Sequence, residues 1–513
     1  MPSSSHKPDA AAPPTARPET PGGLFAGQPR GLGTLFFTEL WERFSYYGMR
    51  AILALFAVAP VAAGGLGVST VEAARVYGNY TMAVYLLAIP GGLIADRYLG
   101  AHRAVLIGGS IIALGHFTLA INRIDTFYAG LALVALGTGL FKPNISAMVG
   151  RLYPEGGERR DAGFSIFYMG VNIGALIGPL IAGYLAQDAS FKAWLADNGF
   201  DPASSWHWAF GAAGVGMTLA LVAYARQMDW LSQIGARDRS EAPSQVLRSA
   251  DWHVAAMVIA GTLAVLLLTV LSDRPGFEWL LAMFIVLPLG ATAWFASRGT
   301  PDANRLAAAS VFFIASMLFW AIFEQAGITI ALFADQLTST EVGGITFPST
   351  WLLSFNALFV ILLAPLFAWT WLRVGPGRPS SPIKFTLGLF FLALSFLLMV
   401  PAAMLTAEGR VSPLWLVGLF FLQTVGELFL SPIGLSLITK LAPARMVGLM
   451  LGVWFLAAAW GNKLAGVLGS GYTATDPHAL ADFFLHQALF VGAAALLLLA
   501  LSRWLKRLMQ PIA

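Results

Sequence analysis

The sequence predicts an all-α integral membrane protein of fourteen transmembrane helices, and three observations carry that expectation. The 513-residue chain is 57% hydrophobic and only 11% charged, more apolar surface than a water-soluble domain can hide. Its apolar residues fall in repeated continuous runs of about 20, the length of helix that crosses roughly 30 Å of hydrocarbon. Those runs lack the alternating period of a lipid-facing strand, so helices, which satisfy their own backbone hydrogen bonds, are expected in place of a barrel.

Taken in order, residues 1–28 are rich in Pro, Ser and Ala with no apolar core, and read as a disordered cytoplasmic tail without a signal peptide. Six spans follow at 33–58, 72–95, 103–122, 128–150, 162–186 and 208–228. A charged stretch interrupted by Gly235 and Pro243 leads to two spans at 252–271 and 278–297. Six more lie at 305–334, 348–372, 384–404, 413–439, 446–471 and 481–508. This gives an N-terminal six-helix bundle over 29–228, a linker with two extra helices over 229–300, and a C-terminal six-helix bundle over 301–513. Bundles of this kind are how many transporters are built from repeats. The internal sequence symmetry is weak, and the repeat rests mainly on hydropathy.

The 31 Lys and Arg residues test the span assignment independently. They crowd into every second loop and both termini and are sparse on the other side, as expected when the crowded side is cytoplasmic. Both termini are therefore expected inside. The formal charge of +4 comes from these short loops and forms no stripe for nucleic acid. The absence of cysteine removes disulfides and thiolate chemistry, and the seven histidines show no ligand spacing. No metal and no cofactor are expected. An enzyme would need a nucleophile, a metal or paired acids at a site, and the chain has no Cys, no metal motif and no GxSxG; a sensor would need a soluble signalling domain, and no segment is long enough.

Ionisable groups inside apolar spans mark a pathway, because each would cost several kcal/mol facing lipid. The densest group is TELWERFSYYGMR in the first span, where Glu39, Glu42 and Arg43 are spaced i, i+3 and i+4 on one face, with Glu39 and Arg43 able to pair directly. Two acids and one base leave one carboxylate without a partner, the kind of group a proton carrier needs. An ion-pair clamp between helices is the alternative. Lys142 in GTGLFKPNIS, Glu324 in FWAIFEQAG and Glu427 in GELFLSP are the other buried charges. Lys142 alternatively snorkels from a helix end, and Glu427 alternatively pairs with Lys463. Glu427 and Ser431 share a face at i, i+4. Tyr47, Tyr85, Asn172, Asn356 and Trp454 are weaker signals, since polar and aromatic residues in membrane helices also serve as packing contacts or interfacial anchors. Gly174 and Gly178 read as a close-packing pair.

Several strings together resemble the proton-dependent oligopeptide transporters, a branch of the major facilitator superfamily. ELWERFSYYG is similar to that family's ExxERFxYYG element, GGLIADRYLG to its loop signature, FYMGVNIG to FYxxINxG and GELFLSPIGLS to GExxxSP. FWAIFEQAG and GVWFLAAAWGN fit as well, so the resemblance covers nearly the whole chain. It implies the major facilitator fold, with two inserted helices typical of bacterial members. It further implies a symporter in the cytoplasmic (inner) membrane, importing di- and tripeptides with protons by alternating access and working as a monomer. Residue by residue, it implies that Glu39, Glu42, Arg43 and Glu324 couple protons. Arg43 and Lys142 would meet the peptide carboxylate, and Glu427 and Asn356 the amino end. Tyr47, Tyr85, Asn172, Ser431 and Trp454 would complete the cavity, and Asp96, Arg97 and Arg103 a conformational latch in the inner loop. SFNALF departs from the family's SxNPxF, with Ala357 in place of proline.

Overall fold

A computed structural model of the chain describes residues 23–155, 157–231, 249–276, 278–375, 379–442 and 447–510. Most of the expected tail and most of the charged stretch around Gly235 lie outside the described residues. The last residues of the expected tail are folded: Phe25 packs edge-on against Phe36, and Tyr153 Oη donates to the Gln28 side chain at 2.7 Å.

Fourteen helices follow the expected spans. They are α1 (Arg30–Val58), α2 (Thr70–Leu99), α3 (Ala101–Leu119), α4 (Ile124–Arg151), α5 (Gly157–Gln187) and α6 (Pro202–Arg226). Next come α7 (Ser249–Leu271) and α8 (Trp279–Arg298). The last six are α9 (Pro301–Gln336), α10 (Ser349–Val374), α11 (Ser381–Glu408), α12 (Leu414–Leu441), α13 (Val447–Gly469) and α14 (Pro477–Leu508). Among the described residues, eleven of these are long and apolar enough to cross a membrane. Helix α1 falls short of that standard because it carries Glu39, Glu42 and Arg43, charges expected to line a pathway, and also Arg50. The only described strands, β1 (Glu341–Val342) and β2 (Ile345–Thr346), form a hairpin between α9 and α10. Its Gly343–Gly344 turn has positive φ at both positions, a geometry that fits a tight hairpin and suits glycine.

Two groups of six helices pack within themselves. Helix α1 lies against α5 and α6, and α3 against α4 and α6; in the second group α11 lies against α12 and α14, and α9 against α13. The groups meet mainly along α2 with α13 and α5 with α10, with α1 also touching the C-terminal part of α9. Small residues make these approaches close. A side chain at Gly78 would come within 2.9 Å of the Gly466 backbone across the α2–α13 seam, and one at Gly178 within 2.6 Å of the Phe44 carbonyl on α1. Gly174 is equally confined, against Leu40 and Arg43, so the expected packing role of that pair matches the geometry.

The expected uninterrupted span at 305–334 is broken in the structure. Helix α9 tightens into a 3₁₀ turn at Glu324–Gly327, and Ile328 leaves helical geometry altogether. The break frees backbone carbonyls in the middle of the molecule, and one finds a partner: Tyr77 Oη donates to the Glu324 carbonyl at 3.2 Å. The same hydroxyl sits where a side chain on Gly327 would be, so glycine is needed for this approach.

Candidate functional site

The acidic stripe on α1 is buried, with Glu39, Glu42 and Arg43 each 3% exposed or less. The expected direct pair of Glu39 with Arg43 is not the main one. Arg43 grips Glu42 with two hydrogen bonds, from Nε to Oε2 and from Nη2 to Oε1 at 2.6 Å. Glu39 Oε1 stands off at 3.4 Å from Nε, and its Oε2 has no hydrogen-bond partner among the described residues. Adjacent side chains on a helix diverge by about 100°, but two long ones can still fold together. The carboxylate left over is therefore Glu39. Tyr46 and Tyr47 flank the guanidinium, 4.8 and 5.8 Å from its centre, a favourable arrangement for a desolvated cation.

Above this stripe, at the meeting of the two groups, lies a void of about 130 Å³ bordered by Tyr47, Arg50 and Tyr85 from the first group and by Glu324, Asn356 and Glu427 from the second. Lys142 on α4 sits 4.7 Å from the ring centre of Tyr85 and has no carboxylate within ion-pair distance among the described residues. Its ammonium is turned towards the Tyr85 ring of α2. On the opposite wall, Asn356 Nδ2 donates to Glu427 Oε2 at 3.1 Å and to Thr424 Oγ1 at 3.0 Å. The amide thus orients the Glu427 carboxylate, and Ala357 in place of proline leaves Asn356 on the cavity wall. Lys463 is engaged elsewhere, with Asp273, which removes it as the partner of Glu427.

A second ion pair, not anticipated from sequence, closes one end of this void. Arg50 Nη2 donates to Glu324 Oε2, joining α1 to the broken part of α9. Arg50 Nε also donates to Tyr77 Oη at 2.6 Å. Arg50, Tyr77 and Glu324 form a three-point link across the two groups. The only sequence signal for Arg50 was its place seven residues beyond Arg43, two helical turns along the same face. Gln423 was also missed. It is fully buried one turn from Glu427 and borders the void, and its amide has no hydrogen-bond partner among the described residues.

Other cross-group bonds lie towards the same end. Gln187 on α5 donates to Asp335 at 3.0 Å and to Ser349 at 2.8 Å, Trp351 Nε1 donates to the Leu180 carbonyl at 2.9 Å, and Ser354 Oγ to the Leu176 carbonyl at 2.9 Å. The molecule is held shut at the end carrying the β1–β2 hairpin.

Five expected substrate-binding residues do not border the void. Arg43 and Lys142 lie beside the lining residues Tyr47 and Tyr85, 5.8 and 4.7 Å from their ring centres. Trp454 packs against Phe385 and over Gly434. Asn172 is buried, and its amide turns back to the Tyr168 carbonyl at 2.9 Å. Ser431 is one turn beyond Glu427 and its hydroxyl has no partner, but it does not border the void. Of the expected latch, Asp96 pairs with Arg151 at 3.8 Å, an arginine not anticipated. Arg97 lies in the π-helical end of α2, and Arg103 in the first turn of α3.

Comparison with known proteins bears on what this arrangement serves. The chain is 39% identical to a peptide transporter of Yersinia enterocolitica, covering 96% of this chain and 97% of that one. It is 38% identical to a di-/tripeptide transporter of Lactococcus lactis, covering 84% and 87%. Among solved structures, a mutant peptide transporter POT in complex with alafosfalin matches with a TM-score of 0.80 at 39% identity, covering 95% and 97%. A POT family transporter in complex with a thioalcohol-conjugated peptide matches at 0.77 and 31%, covering 94% and 98%. The fold is thus that of the major facilitator superfamily, two six-helix bundles (α1–α6 and α9–α14) with the α7–α8 pair inserted. Residues 102–480 match the POT family (PTR2), and with these relatives along nearly its whole length the chain belongs to that family.

Proposed function

We propose that this protein is a proton-coupled symporter that brings di- and tripeptides across the cytoplasmic membrane by alternating access. The observation that carries the reading is the polarity around the central void: Arg50 borders it from the first bundle, with Arg43 and Lys142 lying beside the lining residues Tyr47 and Tyr85, and the Glu427 carboxylate, oriented by Asn356, borders it from the second. A dipeptide at neutral pH is a zwitterion whose charged ends are on the order of 7 Å apart. Held between the bundles, its carboxylate faces Arg43 and Lys142 and its ammonium faces Glu427. Because the two ends are read and the side chains only housed, many sequences are accepted. Binding that bridges both bundles favours closure around the peptide, which is what alternation needs.

Protons are the only coupling species in this reading, with no cofactor or metal. The chain works as a monomer in the lipid bilayer. The end held shut by Arg50 and Glu324 is the outer one, because Lys and Arg crowd the loops at the other end and both termini. A tag on either terminus that reacts with an impermeant reagent from outside intact cells would overturn this orientation. Each proton carried inward through 100 mV contributes about 2.3 kcal/mol.

Uptake of labelled dialanine and trialanine into proteoliposomes tests the function. Accumulation above the equilibrium level with an inward proton gradient, abolished by dissipating the gradient, is expected; uptake indifferent to the gradient would reject the symport. Within the α1 stripe, the unpartnered Oε2 of Glu39 supports Glu39 as the proton carrier, with Glu42 the fixed partner of Arg43. Glu39→Gln should cut proton-driven accumulation roughly tenfold or more while peptide exchange between loaded liposomes persists. Glu42→Gln, which leaves Arg43 buried without its main partner, should impair both. The opposite pattern would exchange the two roles.

A further inference from the structure

The inserted pair α7–α8 belongs to neither bundle, yet its turn carries a carboxylate that reaches the seam between them. Lys463 on α13 is only 1% exposed. Its Nζ donates to Asp273 Oδ1 at 2.6 Å and to Asn79 Oδ1 on α2 at 2.7 Å. Asn79 Nδ2 in turn donates to Asp273 Oδ2 at 2.7 Å. One carboxylate from the inserted turn thus satisfies a lysine of the second bundle and an amide of the first, while those two also bond each other. The ring sits beside the Gly78–Gly466 contact, where the backbones of the two bundles approach closely. The inserted helices are anchored on both sides of it. Val265 and Leu266 of α7 pack with Met82 and Leu86 of α2 and Ala459 of α13, and Leu281 of α8 packs with Phe313 and Trp460.

We infer that the α7–α8 pair is a clasp on the closed outer end, in which Asp273 ties α2 to α13 through Asn79 and Lys463 and so sets how readily that end opens. The inference rests on the alternating-access reading above. Asn79 and Lys463 lie on different bundles, so separating the bundles at this end must part them. A lysine this buried is held neutralised by Asp273. Without that carboxylate it would be a lone buried charge, and the open arrangement, in which water reaches the seam, would gain relative to the closed one. Asp273 therefore biases an equilibrium between two packings instead of merely adding stability to one. The hydrophobic contacts keep the clasp in place whichever way the polar ring stands.

The chain has no cysteine, so a single introduced one reports access cleanly. Ala326 borders the central void beside Glu324, and in an Ala326→Cys background an impermeant maleimide added from outside measures opening of the outer end. Asp273→Asn and Lys463→Gln should each speed labelling roughly tenfold or more. The double variant should label no faster than Asp273→Asn alone, because both changes remove the same tie. Asn79→Ala keeps the Lys463–Asp273 pair and removes only its bond to α2; it should fold normally and speed labelling a few-fold, which keeps the test decisive if Asp273→Asn expresses poorly. Labelling that occurs in the parent and is unchanged in all of these variants overturns the clasp while leaving the transport reading intact. A site closed to the reagent in every variant, with peptide and a proton gradient present, overturns alternating access itself and the clasp with it.

Discussion

Replacing Glu324 by Gln is expected to abolish proton-driven peptide accumulation, at least a hundredfold below the parent, while exchange of peptide between loaded liposomes continues. The argument starts from the three-point link. Arg50 and Glu324 are 11% and 4% exposed at the side chain and lie on opposite bundles, with Tyr77 bonding both. Breaking a buried ion pair by neutralising one partner typically costs about 3–5 kcal/mol, because the other charge is left unpaired. Moving a two-state equilibrium from 1:99 to 99:1 takes about 5.5 kcal/mol, so neutralising Glu324 supplies most of what is needed to open this end. On the proton-coupled reading proposed above, a proton makes that change in the parent and reverses it on leaving; Gln makes it permanent. The carrier can then still alternate with peptide bound, but no longer draws on the gradient. In the Ala326→Cys background, Glu324→Gln should also raise labelling from outside. A Glu324→Gln protein that still concentrates dialanine with a normal gradient would move proton coupling wholly to Glu39.

The helices were legible in the sequence because hydropathy and length determine membrane spans almost alone. All fourteen fall within a few residues of where they were expected. The break in α9 was not, since FWAIFEQAGITIALF is apolar on both sides of Glu324 and only Gly327 marks the interruption. The pairings were less legible still. Spacing shows that Glu39, Glu42 and Arg43 share a face, but side-chain rotamers decide which acid the guanidinium grips, and the structure gives it to Glu42. Arg50 and Glu324 are 274 residues apart, and no local pattern connects them. Lys463 invited pairing with Glu427 because both are lone charges of the second bundle. Its actual partner comes from the inserted turn, where Asp273 looked like an ordinary loop residue. The sequence shows which charges must find partners; chain topology decides which partners they find.

The other large effect concerns Glu427. Glu427→Gln should weaken dialanine binding by roughly ten- to a hundredfold, and acetylating the peptide amine should cost the parent protein a similar amount. Among the described residues, the Glu427 carboxylate is held by Asn356, and neither the ion-pair distances nor the hydrogen bonds place Lys463 near it. It is thus an acid on the wall of the central void with capacity to accept another donor. A peptide ammonium there forms a charge-assisted hydrogen bond, typically about 1.5–3 kcal/mol, which at about 1.4 kcal/mol per tenfold gives the range stated. Either change alone could act indirectly, so the test lies in their combination. If the amine and the carboxylate meet, acetylation should matter much less once Glu427 is gone, because the two changes delete one contact. Competition against labelled dialanine, with free and acetylated dialanine on both proteins, measures that coupling. Additive losses would place the amine elsewhere, with the unpartnered Gln423 amide one turn away the next acceptor to examine. They would leave Glu427 with the narrower task of fixing Asn356 and Thr424 on the cavity wall.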